Sequence, residues 1–315
     1  MNENRILRQL NEYLNYKHSL GFKLKHEETV LKCFAKYTLE NDYDGPLTMD
    51  IVMKWTASGN QSDKTMGRKV EVIRPFSKYV AAFDHEAKSI YSLIYKNVHD
   101  RPVPYIYTEA ETVQLMKQCQ RLYSPDGIRA RTIETVIGLL WSAGLRPSEP
   151  INLVISDVEL ERGILHVRKT KFSKERFVPL DSSVIRKLTA YKSWIEQMLG
   201  ARSPIDAFFY TTGGKPLKVN SLAYAFQKVR PCIDAHPIGY PFVRLYDFRH
   251  TMACNTIRRW TEEGIDVNSN LHVLSTYLGH VKPEDTYWYL SATPGMMELC
   301  CSKYEDMFGG DYDEV

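Results

Sequence analysis

The chain lacks long apolar runs, a paired cysteine framework, a phosphate-cradling glycine loop and a strong excess of charge of either sign. None of its segments approaches the roughly 18–20 consecutive apolar residues that a membrane-spanning helix needs, so no membrane association is expected. The opening residues carry Arg5 and Arg8 but no apolar core, which excludes a secretory signal from the expectation. Six cysteines stand at 33, 119, 232, 254, 300 and 301. Only the last two are neighbours, and adjacent cysteines fit neither zinc-ligand nor C-x-x-C spacing. Reduced thiols in a cytoplasmic protein are therefore expected. With no P-loop and no metal-ligand spacing, neither a nucleotide, a metal nor another cofactor is expected. Lys and Arg number 41 against 38 Asp and Glu, for a net charge of +3. A nucleic-acid surface would then have to come from local clustering rather than from overall charge.

Such clustering is present. Residues 64–78 hold Lys64, Arg68, Lys69, Arg74 and Lys78 against a single Glu71. Residues 168–176 hold Arg168, Lys169, Lys171, Lys174 and Arg176 against Glu175. The end of the chain runs the other way, with Glu305, Asp306, Asp311, Asp313 and Glu314. Either basic run alone is more often a solvated face than a DNA contact.

A length of 315 residues exceeds the usual single-core size and predicts two domains. Residues 1–98 read as helical. Ile6, Leu10, Tyr13 and Leu14 recur at helical spacing before Gly21, and a Thr48-led helix runs through Trp55. Ser62 or Asp63 caps a helix that carries the first basic run and the stripe Val70, Ile73, Phe76, Tyr79 and Val80. Pro75 within it predicts a kink or a break. The proline-bearing stretch 99–106 is the predicted linker. Thr108 with Glu111 has capping-box spacing. A buried helix through Ile133, Val136, Ile137 and Leu140 follows, ended by Gly144. Between 157 and 180 the texture becomes strand-like, with a polar turn at 170–174. Helices resume at 182–199, 221–230, 247–262 and 270–278. The predicted fold class is mainly α with a small antiparallel β-sheet.

Reactive side chains stand in four local contexts. In Ser142-Ala143-Gly144-Leu145-Arg146-Pro147-Ser148-Glu149, Arg146 projects from a helix-to-helix corner with Glu149 three residues on. An Arg–Glu brace of that corner explains the pattern equally well. In Arg168–Leu180 a hairpin turn presents Lys171. In Leu245-Tyr246-Asp247-Phe248-Arg249-His250-Thr251, Asp247 is the expected N-cap, placing Arg249 and His250 in a first turn that favours an anion. The last context is Leu278-Gly279-His280 followed by Thr286-Tyr287-Trp288-Tyr289-Leu290.

Taken in order, these contexts resemble the tyrosine recombinase or phage-integrase family over residues 105–295, most like members borne by transposons and plasmids. Its pattern is Arg in a Gly-Leu-Arg-x-x-Glu box, Lys in a β-hairpin, His-x-x-Arg, Leu-Gly-His, and Tyr nine residues later. Arg146 and Glu149 match the first box, Lys171 the hairpin lysine, Arg249 the second arginine and His280 the Leu-Gly-His histidine. Tyr289 stands at the position of the nucleophile. One departure is Tyr246, where the family has histidine; a phenol near pKa 10 is a poor base at neutral pH.

The resemblance implies a helical core-binding domain at 1–98, a catalytic domain at 107–295, and a C-clamp of the two around DNA. In that scheme Lys64, Arg68, Lys69, Arg74, Lys78, Lys169 and Lys174 contact DNA, and His250 supports the site. The implied partners are double-stranded DNA with paired recognition sites and further copies of the chain in a tetramer, in a bacterial cytoplasm. Met297, Cys301, Tyr304 and Phe308 give a stripe on a tail helix within 296–315, exchanged between subunits or packed on its own domain. The implied reaction is strand cleavage and rejoining through a 3′-phosphotyrosyl link, for integration, excision or transposition of a mobile element. Two other readings remain open at this stage. One is a DNA-binding protein whose site is impaired by Tyr246, and the other is a type IB topoisomerase-like activity.

The residue types suit that reaction. A phenol of pKa about 10 is ionised about one part in a thousand at pH 7, a cost of roughly 4 kcal/mol. Two arginines lower that cost and clamp the phosphate. Each well-placed donor to the developing charge contributes about 3–4 kcal/mol. His280 adds a donor, and Lys171 is the expected general acid for the leaving 5′ oxygen.

Overall fold

The computed structural model describes residues 4–91, 95, 98–99, 103–168, 175–234, 242–280, 282 and 284–291. The chain divides into two compact units, Met1–Arg101 and Pro102–Val315.

The first unit contains α1 (Arg5–Ser19), α2 (Lys25–Glu40), α3 (Met49–Ala57) and α4 (Asp63–Ala81). The predicted stripe of α1 is its buried face: Ile6, Leu10, Tyr13 and Leu14. They join Phe34, Trp55, Ile73 and Phe76 in one apolar core. Ser62 caps α4 by accepting the Thr65 N–H. Contrary to a break at Pro75, α4 runs on to Ala81 with the proline inside it. The deep burial of Ile73, Phe76 and Val80 on either side of that position offsets the lost backbone bond. Lys64, Arg68, Arg74 and Lys78 fall on the opposite face of α4, given about 100° per residue. Lys69 leaves that face, with its Nζ 4.6 Å over the ring of Trp55.

The second unit runs α5 (Glu109–Gln118), α6 (Ile128–Ala143), α7 (Glu149–Asn152), β1 (Val158–Glu159), β2 (Ile164–Val167), β3 (Arg176–Pro179) and α8 (Ser182–Leu199). It continues through β4 (Tyr210–Thr211), β5 (Lys215–Pro216), α9 (Val219–Val229), α10 (Asp247–Glu262), α11 (Val267–Leu278) and α12 (Glu284–Ser291). Thr108 and Glu111 form the reciprocal capping box at the start of α5. The central element is α6, which buries Ile133, Val136, Ile137, Leu139 and Leu140 and packs on α5, α8 and α10. Strands β1, β2 and β3 form an antiparallel sheet in sequence order, with Val167 opposite Arg176 at its open end. The connection between β2 and β3 holds Lys169, Lys171 and Lys174, which lie outside the described residues. The tail from 296 to 315, with its apolar stripe, also lies outside them. A smaller core ties α10, α11 and α12 together through Cys254, Ile257, Leu271, Leu274, Leu278 and Tyr289. The architecture is mainly α with small antiparallel sheets, as the sequence predicts. Among the described residues no helix is long and apolar enough to cross a membrane.

Candidate active site

The site is built at the ends of three helices. Gly144 closes α6 in the left-handed region, φ 58°, where α10 comes so near that a Cβ would lie 2.3 Å from the Met252 side chain. The positive φ favours glycine, and a larger residue would also have to push the Met252 methyl aside. Two residues on, the Arg146 backbone N–H donates to Glu149 Oε2 at 2.8 Å, and Nη1 donates to Oε1 at 2.9 Å. Glu149 is 4% exposed, so its charge needs strong partners. It finds a second one in Arg176, whose two terminal nitrogens donate to it at 2.9 and 2.8 Å. Burial pushes the Glu149 carboxyl up, but Arg176 and then Arg146 outweigh it, holding the group below the usual carboxylate range.

The end of α11 supplies the other anchor. A helix leaves its last carbonyls without intrahelical partners, at the negative end of its dipole. Here three consecutive ones each take a guanidinium. The Tyr277 carbonyl accepts from Arg176 Nε at 2.7 Å, that of Leu278 from Arg249 Nη2 at 2.5 Å, and that of Gly279 from Arg146 Nη2 at 3.1 Å. Gly279 turns the chain at φ 67° with Arg176 Cδ 3.0 Å from where a Cβ would stand.

Arg249 is completely buried in the first turn of α10. Its Nη1 donates to the Gly144 carbonyl at 3.0 Å, and its buried Nε has no hydrogen-bond partner among the described residues. Burial lowers its pKa, with Tyr289 acting in the opposite direction. It is thus a cation held by neutral carbonyls, with N–H groups, that of Nε among them, left over for an anion. The first-turn position is as predicted, but the cap is not Asp247. Tyr246 is the N-cap, and Asp247 is the first helical residue, buried and paired to Arg244. The Asp247 carboxylate accepts instead from the Arg244 backbone N–H and guanidinium, while burial still holds its pKa above the usual carboxylate range.

His280 follows the Gly279 turn. Its Nδ1 lies 2.8 Å from the Thr286 hydroxyl, and its ring stacks on Tyr289 with centroids 5.9 Å apart and planes 21° from parallel. Burial, then Arg249 and Arg146, push its pKa down to about 4, so the imidazole is neutral at pH 7. Tyr289 on α12 is 2% exposed, with the ring of His250 edge-on at 5.2 Å. Burial raises the phenol above its ordinary value, and Arg249 works against that rise. Tyr246 is 40% exposed and lies against His250 with centroids 5.4 Å apart.

Arg146, Glu149, Arg249, His250, His280 and Tyr289 therefore converge, with Tyr246 at the rim. Two residues that sequence reasoning passed over join them, Arg176 and Thr286. Arg176 had a readable signal. It precedes Val178 by two in a strand whose Phe177 is exposed and whose Val178 is fully buried, which places an arginine on the inward face. Removing the shared carboxylate by Glu149→Ala leaves two largely buried guanidiniums without a counter-charge. The expected cost is about 3 kcal/mol, read by calorimetry as a drop in thermal midpoint of roughly 6–12 °C. A shift below a degree would show that the carbonyls alone hold the arginines.

A profile described as the phage integrase family matches residues 106–295. The "Putative integrase/recombinase y4rE" of Sinorhizobium fredii (strain NBRC 101917 / NGR234) is 30% identical over 296 residues, covering 94% of each chain. Tyrosine recombinase XerD of Staphylococcus aureus is 32% identical over 157 residues, half of each chain. Among solved structures, the Tn1549 transposon integrase in complex with circular intermediate DNA aligns with a TM-score of 0.66 at 17% identity, over 96% of this chain and 99% of that one. The XerH recombinase on its difH substrate aligns with a TM-score of 0.60 at 17% identity, over 88% and 78%. By sequence over nearly its whole length, and by a family match that spans the converging arginines, histidine and tyrosine, the chain belongs to the phage integrase family of tyrosine-type site-specific DNA recombinases.

Proposed function

We propose that this recombinase cleaves one DNA strand through attack of Tyr289 on a backbone phosphate and rejoins it to a partner strand, moving a mobile element by integration, excision or transposition. The observation that carries this reading is the convergence of Arg146 and Arg249, hung from the adjacent carbonyls of Gly279 and Leu278, beside the stacked rings of His280 and Tyr289. Two guanidiniums clamp the non-bridging oxygens, and the neutral His280 donates a further hydrogen bond to them. The Tyr289 phenol releases its proton to water as its oxygen bonds to phosphorus and the bond to the 5′ oxygen breaks. Lys171 protonates that leaving oxygen, giving a 3′-phosphotyrosyl link and a free 5′ hydroxyl. A 5′ hydroxyl from the partner strand reverses the step. Tyr246 at the rim serves as a hydrogen-bonding group rather than as a base.

In this reading residues 1–98 are a core-binding domain that closes with the 107–295 catalytic domain as a clamp on DNA. Four copies act on two sites and exchange the 296–315 tails. The basic face of α4 supplies phosphate contacts. Changing Lys64, Arg68, Arg74 and Lys78 together to Gln is expected to weaken binding of duplex DNA and to lower the slope of log K against log salt by about 3–4. An unchanged salt slope in a fluorescence-anisotropy titration would assign the contacts elsewhere.

The activity is tested on a plasmid carrying two copies of the paired inverted repeats that flank the element. A deletion or inversion between them, dependent on both copies, is the expected product. Relaxation of a supercoiled plasmid without any such repeat would identify a topoisomerase instead.

A further inference from the structure

We propose that Thr286 is a positioning residue: its hydroxyl donates to Nδ1 of His280 and so fixes the imidazole in the tautomer whose Nε2 carries the proton. The inference deepens the reading above, in which His280 donates to a phosphate oxygen.

Most helical threonines described in this unit share a habit, with Thr132, which meets the Tyr191 hydroxyl, as an exception. Thr251, Thr256, Thr261 and Thr276 each donate their hydroxyl to the carbonyl four residues earlier. Thr286, in α12, does not. It is 1% exposed, and among the described residues its hydroxyl meets a single partner, Nδ1 of His280 at 2.8 Å. Among the described residues no other acceptor meets that hydroxyl, and a buried donor left unsatisfied costs more than the bond itself contributes. The proton therefore points at the ring, and Nδ1 is the acceptor.

A neutral imidazole has one donor and one acceptor nitrogen, so an accepting Nδ1 leaves Nε2 as the donor. Neutrality follows from the surroundings. The ring is flanked by Arg146 after α6, Arg176 on β3 and Arg249 on α10, against Asp285 as the nearby acid and the Tyr289 phenol on α12. Three cations around one ring disfavour a fourth. The alternative tautomer would present a lone pair to the phosphate and repel it. Thr286 also sits three residues before Tyr289 on the same helix, so the turn that carries the nucleophile sets the proton on its neighbour.

The test reads the tautomer directly. The protein has nine histidines; with 15N-labelled histidine, the His280 ring signals are assigned by their loss in His280→Gln. At pH 7 without DNA, the wild type is expected to show an unprotonated Nδ1 and a protonated Nε2. Thr286→Ser should keep this pattern, and Thr286→Val should give a tautomer mixture. A protonated Nδ1 in the wild type overturns the inference, even if no threonine variant folds. On a nicked duplex that traps the covalent link, Thr286→Val is expected to form adduct roughly tenfold more slowly, the size typical of losing an outer-shell orienting contact. Thr286→Ser should stay close to wild type, and Thr286→Val should add nothing in a His280→Gln background. Equal losses in both backgrounds would mean a packing role only. If wild-type protein forms no adduct, the function proposed above fails while the NMR result stands on its own.

Discussion

Replacing Arg249 by Ala should slow formation of the covalent protein–DNA link by about 10²–10³-fold, because one charge-stabilising donor contributes about 3–4 kcal/mol in a water-poor site. The structure shows why the loss concentrates on chemistry. Arg249 makes no ion pair among the described residues. Its bonds go to the carbonyls of Gly144 and Leu278, and its buried Nε is left over. Burial makes that cation expensive to keep, as its lowered pKa records. In the proposed reaction a DNA phosphate would supply the counter-charge. Arg249→Lys should recover little of the rate, since an ammonium cannot span both carbonyls and still present a planar fork. The fold should survive, because Glu149 still braces Arg146 and Arg176. Single-turnover cleavage of a nicked substrate, with circular dichroism as a control, measures this. A loss under fivefold would remove Arg249 from the transition state.

The second large effect concerns Lys171. Its hairpin leaves β2 at Val167 and enters β3 at Arg176. Both flanks are pinned, by Arg168 Nε to Asp157 at 2.6 Å on one side and by Arg176 to Glu149 and Tyr277 on the other. Lys171→Ala should slow cleavage by about 10²–10⁴-fold on an ordinary 5′ oxygen, the usual worth of a general acid. A 5′-phosphorothiolate, whose sulfur leaves without a proton, should restore the rate to within a few-fold of wild type. An equal defect on both substrates would show that Lys171 holds the phosphate instead of protonating the leaving group.

Much of the site was legible because glycine marks it. Gly144 and Gly279 each end a helix in the left-handed region, and a reactive residue follows each within two positions. The same punctuation located α6, α8, α10 and α11 closely and the strands that flank the hairpin. What stayed hidden was pairing across the sequence. Arg176 and Glu149 are 27 residues apart, and the carbonyls that hold three arginines have no sequence signature at all. Thr286 reads as a helical threonine like its neighbours, and only the fold turns it toward His280. The misplaced cap has a similar origin. Asp247 fits the local preference for an N-cap, yet Arg244 three residues before it draws the carboxylate into a buried ion pair. Of the kink or break expected at Pro75 the break does not occur, and Ile73, Phe76 and Val80 bury the helix across the proline.

The most direct test of the central claim identifies the amino acid joined to DNA. Wild-type protein is trapped on a nicked duplex bearing its inverted repeat, the complex is digested, and the DNA-linked peptide is sequenced by mass spectrometry. The link is expected at Tyr289 alone among the 20 tyrosines of the chain, as a 3′-phosphate ester, and Tyr289→Phe should give no adduct. A link through Tyr246 or any other residue, or an adduct that persists in Tyr289→Phe, would contradict it.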